Sequence, residues 1–191
     1  MTAAVLLAGG GSKRMGRDKL MLEIGGMTML ESAAQRFAGV FNELCISVAD
    51  VGKYPGIAAR TIVDIRPGAG PLSGLHAALS VLRCDGVFLV AADLPFASPP
   101  AALRIAELGA GRDACIIRLR DGKIEPLFGY YARSLLPLCE EALRSGDNRM
   151  SEILYKANTR FISPEELGGL WDEKLIYNIN YPEDYKDYSR L

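Results

Sequence analysis

Val5-Leu-Leu-Ala-Gly-Gly-Gly-Ser-Lys-Arg-Met-Gly-Arg-Asp-Lys19 decides how this chain is read. A short apolar run ends in three consecutive glycines, and Lys13, Arg14, Arg17 and Lys19 follow, with Asp18 as the one acid among them. Small residues expose backbone N–H groups and the cations behind them meet phosphate oxygens, so the stretch has the make-up of a phosphate-binding loop. A first strand would deliver it to the edge of a cleft. A glycine-rich turn with a solvated basic face would explain a lone glycine run; four cations packed behind three glycines favour a phosphate site.

Two other phosphate loops are excluded by spacing. The chain contains no Gly-Lys-Ser or Gly-Lys-Thr triplet, as the Walker A pattern requires. A dinucleotide fingerprint needs glycines at relative positions one, three and six; counted from Gly9 the sixth position is Arg14, and counted from Gly11 the third is Lys13. The loop therefore handles phosphate in another way.

The 191 residues suit one domain with a full core. A net charge of −1 gives no global attraction to nucleic acid or to an anionic membrane. No apolar run approaches the roughly 20 residues of a membrane span, and the opening Met1-Thr-Ala-Ala-Val5 lacks the basic start of a signal peptide. Cys45, Cys84, Cys115 and Cys139 form no Cys-x-x-Cys pair and fall in or beside apolar stretches. They read as buried thiols in a reducing cytoplasm, not as a zinc site or a disulfide set. The single histidine, His76, lies in a helical pattern and reads as a packing or helix-surface residue.

Near-continuous apolar runs at 3–8 and 86–92 suit strands buried on both faces of a parallel sheet. Leu30, Ala33, Ala34 and Phe37 follow helical spacing behind Thr28 and Glu31, a capping-box pair. Shorter strands are predicted at 44–48, 61–63 and 160–162. Helices are predicted from the loop 67–74 onward and at 99–108, 134–143 and 149–154, with a last short helix at the C-terminus. Two strands, 114–119 and 127–131, are joined by a turn at Asp121-Gly122. Strands alternating with helices through the first two-thirds predict an α/β fold: a doubly wound, mostly parallel sheet with an antiparallel element at one edge.

Three predicted strand ends carry the chemistry, because open α/β sheets bind ligands outside the carboxyl ends of their strands. They are the loop 9–19, Asp64 with Gly68–Gly74, and Asp93-Leu-Pro95. Asp93 follows an apolar strand, so its carboxylate emerges beside the crevice, where it suits Mg²⁺ held by a carboxylate and substrate phosphates; a turn or N-cap aspartate is the plainer alternative. Lys19 at the loop's end can meet an α- or β-phosphate; a solvated lysine paired with Asp18 is the plainer one. Asp64 can accept from a base or ribose, bind metal through water, or cap a turn. Gly68, Gly70 and Gly74 admit close approach of a base or sugar, or simply turn the chain. Asn178 and Asn180 face one side of an extended segment, where they can read heteroatoms of a ring ligand or tie down the chain end.

At this point the residues resemble a family. Leu7-Ala-Gly-Gly-Gly-Ser-Lys-Arg-Met-Gly-Arg-Asp-Lys19 matches the signature of the MobA-like nucleotidyltransferases, roughly L-A-G-G-x-S-x-R-M-G-x-D-K. Gly70-Pro-Leu-Ser-Gly74, Asp93-Leu-Pro-Phe96, Glu125-Pro-Leu127 and Asn178-Ile-Asn-Tyr-Pro-Glu-Asp184 resemble its later motifs, so the likeness runs from about residue 4 to 187. It implies a Rossmann-like nucleotidyltransferase fold in a single domain, 1–191, with about 1–110 binding nucleotide and about 111–191 binding the acceptor. Within the family the chain is most similar to the molybdenum cofactor guanylyltransferases, which join GMP from GTP to molybdopterin and release pyrophosphate. Resemblance and loop reading together give a nucleotide-binding set of Leu7, Ala8, Gly9, Gly10, Lys19, Asp64, Gly70 and Asp93. The catalytic set is Arg14, Lys19 and Asp93, with Asp93 also the Mg²⁺ ligand, and Asn178 and Asn180 are the acceptor candidates. The implied setting is cytoplasmic, with GTP and molybdopterin as substrates and transient contact with other cofactor-biosynthesis proteins or target molybdoenzymes. Where the guanylyl branch often has an asparagine contact, this chain reads Val48-Ala-Asp50, and that contact is not carried over. Two alternatives stay open: a cytidylyl- or guanylyltransferase for another phosphorylated acceptor, such as a sugar phosphate or phospholactate, and a nucleotide-binding subunit without turnover.

Overall fold

The computed structural model describes residues 1–9 and 18–179. Its strands are β1 (Thr2–Leu7), β2 (Glu23–Ile24), β3 (Met27–Thr28), β4 (Glu43–Val48), β5 (Arg60–Val63), β6 (Gly86–Ala91), β7 (Ala114–Arg118), β8 (Ile124–Ala132) and β9 (Thr159–Ile162). Its α-helices are α1 (Met29–Phe37), α2 (Pro71–Val81), α3 (Pro99–Leu108), α4 (Leu136–Ser145), α5 (Met150–Lys156) and α6 (Pro164–Leu167). Seven of these strands form one sheet in the order β5-β4-β1-β6-β8-β7-β9, while β2 and β3 pair separately. Only β8 among the seven runs against its neighbours. The mostly parallel α/β sheet is as expected from the sequence. The antiparallel hairpin lies toward one edge, where β9 docks in parallel outside β7; the reversed strand, β8, sits between β6 and β7.

Side-chain alternation divides the sheet between two cores. Ala4, Leu6, Phe88 and Val90 face α1 and α3, where Leu30, Phe37, Ala101 and Ile105 are buried. Ala3, Val5, Val87 and Leu89 face Leu72, Leu75 and Leu79 of α2 and Cys139 and Ile153 of α4 and α5. Phe88 anchors the first core, stacked on Phe41 at 5.6 Å and edge-on to Phe128 at 5.0 Å. The capping box at α1 forms as the sequence predicts: Thr28 Oγ1 accepts from the Glu31 N–H at 3.1 Å, and the Thr28 N–H donates to Glu31 Oε2 at 2.7 Å.

Cys45, Cys115 and Cys139 are free and buried, and burial pushes each thiol up to about 12, so they are inert packing groups. His76 is buried in α2, and burial pulls its imidazole below the usual range, consistent with packing. Among the described residues no helix is long and apolar enough to cross a membrane.

The β6–β8 seam depends on a missing side chain. A Cβ on Gly86 would sit 2.7 Å from the Tyr131 carbonyl oxygen and 2.6 Å from the Tyr130 hydroxyl. Gly86 pairs with Ala132 across the ladder, so the backbone cannot step aside. Gly86→Ala is expected to destabilise the protein by about 1–3 kcal/mol, the scale of overpacking. Gly169→Ala, where a Cβ meets nothing within 4 Å, should stay within about 0.5 kcal/mol. Denaturant midpoints of the two variants check this.

Candidate active site

Register puts four strand ends in a row. Leu7 pairs with Ser47 on one side and Ala91 on the other, and Val48 pairs with Val63. The ladder continues past the strands: the Ala8 N–H donates to Ser47 O at 2.9 Å, Ala92 N–H to Leu7 O at 3.2 Å and Asp64 N–H to Val48 O at 3.0 Å. Gly9, Asp64 and Asp93 therefore leave the sheet at one end. From β5 to β6 is three strand spacings, roughly 14 Å, a span suited to an extended nucleotide. The cleft there has a volume of about 160 Å³ and is lined by Leu7, Gly9, Lys19, Asp64, Gly70 and Asp93, among others. A wider groove of about 590 Å³ beside Leu119 and Trp171 has its cation already occupied, because Arg120 pairs with Glu165 at 2.6 Å.

Lys19 and Asp93 meet inside the cleft. Lys19 opens a 3-10 turn (Lys19–Met21) that buried Leu20 pins to the core. Its Nζ donates to Asp93 Oδ2 at 2.5 Å and to the Ile179 carbonyl at 2.9 Å. Less than a fifth of either charged side chain is exposed. Asp93 is held from behind by the Ile179 N–H, which donates to its backbone carbonyl at 3.2 Å. The plainer alternative of a solvated lysine does not describe this geometry. Two opposite charges share a partly dry cleft, where each would be costly to hold without the other.

Asp64 forms the far wall. Ser47 Oγ donates to its Oδ1 at 3.0 Å. Burial raises its carboxyl above the ordinary range, and the Ser47 bond offsets only part of that. A half-buried carboxylate with acceptor capacity to spare suits a ligand hydroxyl or N–H donor. Beside it α2 begins at Gly70, whose φ of 63° and ψ of −143° lie in a region reserved for glycine. Ser73 Oγ donates to Arg66 O at 2.6 Å and accepts from the Ala69 N–H at 3.1 Å, tying the incoming loop to the first turn of the helix. A Cβ on Gly74 would fall 2.5 Å from Ser47 Oγ and 2.6 Å from Leu7 Cδ2, so this glycine lets α2 press against β4 and β1. The helix N-terminus thus faces the cleft, where its dipole favours an anion.

The structure brings together Leu7, Gly9, Lys19, Asp64, Gly70 and Asp93, with Ala8 in the strand-end ladder beside them. Gly10, Arg14 and Asn180 lie outside the described residues, as does the expected C-terminal helix. Asn178 is half-buried next to Ile179, and its Nδ2 donates locally to Ile176 O at 3.5 Å. Sequence reasoning missed Ser47, Tyr54 and Ile179. Ser47 is the single polar residue of its strand's buried half, a usable signal; Ile179 acts through its backbone and leaves none. Glu125, noted only within a motif, belongs to the same region: Leu127 lines the cleft, and its N–H donates to Glu125 Oε1 at 2.9 Å. Burial raises the Glu125 carboxyl, the Leu127 bond opposes this, and the charge of Asp93 adds to the rise.

Comparison with known proteins agrees with this geometry. Residues 4–160 match the model of the MobA-like NTP transferase domain. The chain is 35% identical over 183 residues to a probable molybdenum cofactor guanylyltransferase from Pelotomaculum thermopropionicum, covering 94% of this chain and 88% of the relative. It is 33% identical to one from Carboxydothermus hydrogenoformans, covering 100% and 96%. The crystal structure of molybdopterin-guanine dinucleotide biosynthesis protein A from Archaeoglobus fulgidus superposes with a TM-score of 0.83 at 28% identity, covering 100% of this chain and 97% of that one. A phosphate-loop signature, a cleft at the matching strand ends and a family match across most of the chain lead to one conclusion: the protein is a nucleotidyltransferase belonging to the MobA-like NTP transferase family.

Proposed function

We propose that the protein transfers GMP from GTP to the terminal phosphate of molybdopterin, releasing pyrophosphate, and that the cleft between Asp64 and Asp93 is where this occurs. The observation that carries the reading is the Lys19–Asp93 pair at 2.5 Å, set in a cleft whose opposite wall is the N-terminus of α2. The names of the relatives at 35% and 33% identity support guanine nucleotide and molybdopterin as the substrates.

The residues present fit a magnesium ion. Among the described residues no group of three or more His, Cys, Asp or Glu side chains could cage a metal. Asp93 lines the cleft as a carboxylate, and a cation that takes few protein carboxylates and completes its shell from phosphate and water, the habit of Mg²⁺, fits there. Asp93 would hold it, and the Lys19 ammonium against Oδ2 marks where that carboxylate accepts positive charge. When bound, the ion would neutralise phosphate charge and help orient the triphosphate.

An oxygen of the acceptor phosphate attacks the α-phosphorus, and the bond from that phosphorus to the bridging oxygen of the β-phosphate breaks. The acceptor phosphate is already ionised at neutral pH, so no general base is needed. Lys19 neutralises charge growing on the α-phosphate and the leaving pyrophosphate. The first turn of α2 and Gly70 let backbone approach the nucleotide closely, and Asp64 accepts from its sugar or base. Alignment and charge neutralisation make up the catalysis.

Thermal-shift titration with the four ribonucleoside triphosphates and Mg²⁺ should give GTP the largest stabilisation; equal or greater stabilisation by CTP overturns the guanylyl assignment. Asp93→Asn keeps shape and removes the charge. It should fold normally and lose at least roughly 10²-fold in turnover, whereas activity within about threefold of the parent, some 0.65 kcal/mol in barrier, removes Asp93 from the reaction. Lys19→Ala should lower kcat by roughly 10²-fold with a smaller loss of GTP affinity. Lys19→Arg should recover only part of it, because a planar fork replaces a point charge poorly in a tight cleft. Steady-state kinetics at saturating Mg²⁺ read both, and an unchanged kcat in Lys19→Ala ends the catalytic role.

A further inference from the structure

β4 and β5 are parallel neighbours, yet the connection between them, 49–59, carries no helix. Parallel strands are commonly joined through a helical crossover of a dozen or more residues. Here the short connection leaves the carboxyl end of β4 and turns back to the start of β5, and Tyr54 on its way lies beside Ala8 and Asp18, the two ends of the glycine loop. Tyr54, Ile57 and Ala59 pack it against the core that also contains Leu20.

Tyr54 spans two points far apart in sequence. Its hydroxyl donates to Asp18 Oδ2 at 2.7 Å and lies 3.3 Å from the Ala8 carbonyl oxygen, the second limb of a shared bond. Ala8 is the first residue past β1, and Asp18 immediately precedes Lys19. Lys53 Nζ approaches the same Asp18 oxygen at 3.4 Å and lies 5.0 Å from the centre of the Tyr54 ring. The other Asp18 oxygen accepts from the Leu20 N–H at 3.1 Å and caps the 3-10 turn. Burial opposes ionisation of Asp18, but the bonds from Tyr54, Leu20 and Lys53 outweigh it and hold the carboxyl below its usual range. Burial and that carboxylate keep the phenol protonated, hence a donor. The bond is charge-assisted and oriented.

We propose that Tyr54 is a positioning residue for nucleotidyl transfer, its hydroxyl fastening Asp18 to the end of β1 and so setting where Lys19 enters the cleft. In this account the aspartate of the Asp18-Lys19 pair serves the lysine as an anchor and touches no substrate. Asp93 and Ile179 hold the far end of Lys19, and the Tyr54–Asp18 bond holds its root. A charge that acts on the transition state tolerates little misplacement, since about 1 Å can cost 10²-fold. The inference rests on the reading that Lys19 acts on phosphate charge.

The test is a double-mutant cycle on the full chain with GTP and Mg²⁺, using pyrophosphate release with the molybdopterin acceptor. Tyr54→Phe removes one oxygen and keeps the ring packed. Alone it should lower kcat by about tenfold, a fraction of the misplacement limit, with KM for GTP changed by less than about twofold. On a Lys19→Ala background it should lower kcat by less than about twofold more, because the group it positions is gone. Asp18→Ala should follow the same pattern, which keeps the idea testable if Tyr54→Phe folds poorly. A kcat unchanged in both single variants overturns the proposal, as does an equal loss in both backgrounds, which marks a merely structural role. An unaltered kcat in Lys19→Ala itself instead removes the catalytic reading of the lysine and the proposal with it. That result is separate from one in which Lys19→Ala is impaired and Tyr54→Phe is not.

Discussion

β1 is hydrogen-bonded along both edges and buried on both faces, and the rest of the molecule is arranged around that constraint. The strand's middle is apolar throughout, and Ala3, Ala4, Val5 and Leu6 serve packing only. Polar chemistry has to begin where the strand stops. The same holds for β6, apolar throughout, whose first ionisable group is Asp93 two residues beyond its end. Two cores meet through these strands, one set of side chains facing α1 and α3 and the other facing α2, α4 and α5. The cleft therefore inherits its rigidity from the middle of the sheet.

Much of this is legible in the order of residues alone. Uninterrupted apolar runs mark β1 and β6, helical spacing behind Thr28 marks α1, and the charged or glycine-rich residues after them mark the cleft. The features that local pattern does not reveal are hidden for physical reasons. β2 and β3 are two residues long, too short for a period. β8 begins at Ile124, earlier than alternation suggests, because its register with β7 jumps from Gly129 to Glu125 around Pro126, which has no N–H to give a ladder. The strand at 160–162 is legible but its partner is not, because local pattern does not tell that β9 covers the outer edge of β7. Ser47, Tyr54 and Ile179 matter through partners 17 to 160 residues away, and local pattern holds no record of such pairs.

Adjacent residues of opposite charge usually spend their charge on each other or on water. Asp18 and Lys19 turn to different partners. The carboxylate is turned to Tyr54, Lys53 and the backbone of the 3-10 turn, while the ammonium reaches Asp93. An exposed pair of this kind contributes under about 1 kcal/mol, so a mutual Asp18–Lys19 bridge would have added little. With the two split, the carboxylate holds the 3-10 turn and the ammonium goes to Asp93 and the Ile179 carbonyl.

The Ile179 contacts bear on the order in which the molecule is made. Lys19 is translated early, yet the carbonyl that receives its ammonium and the N–H that steadies Asp93 come from a residue 160 positions later. Contacts of such sequence separation close late in folding, because the entropy of the intervening loop must be overcome first. A growing chain can pair β1, β4, β5 and β6 and still carry Lys19 and Asp93 without their shared backbone clamp. The backbone clamp that Lys19 and Asp93 share can thus form only after synthesis has passed residue 179.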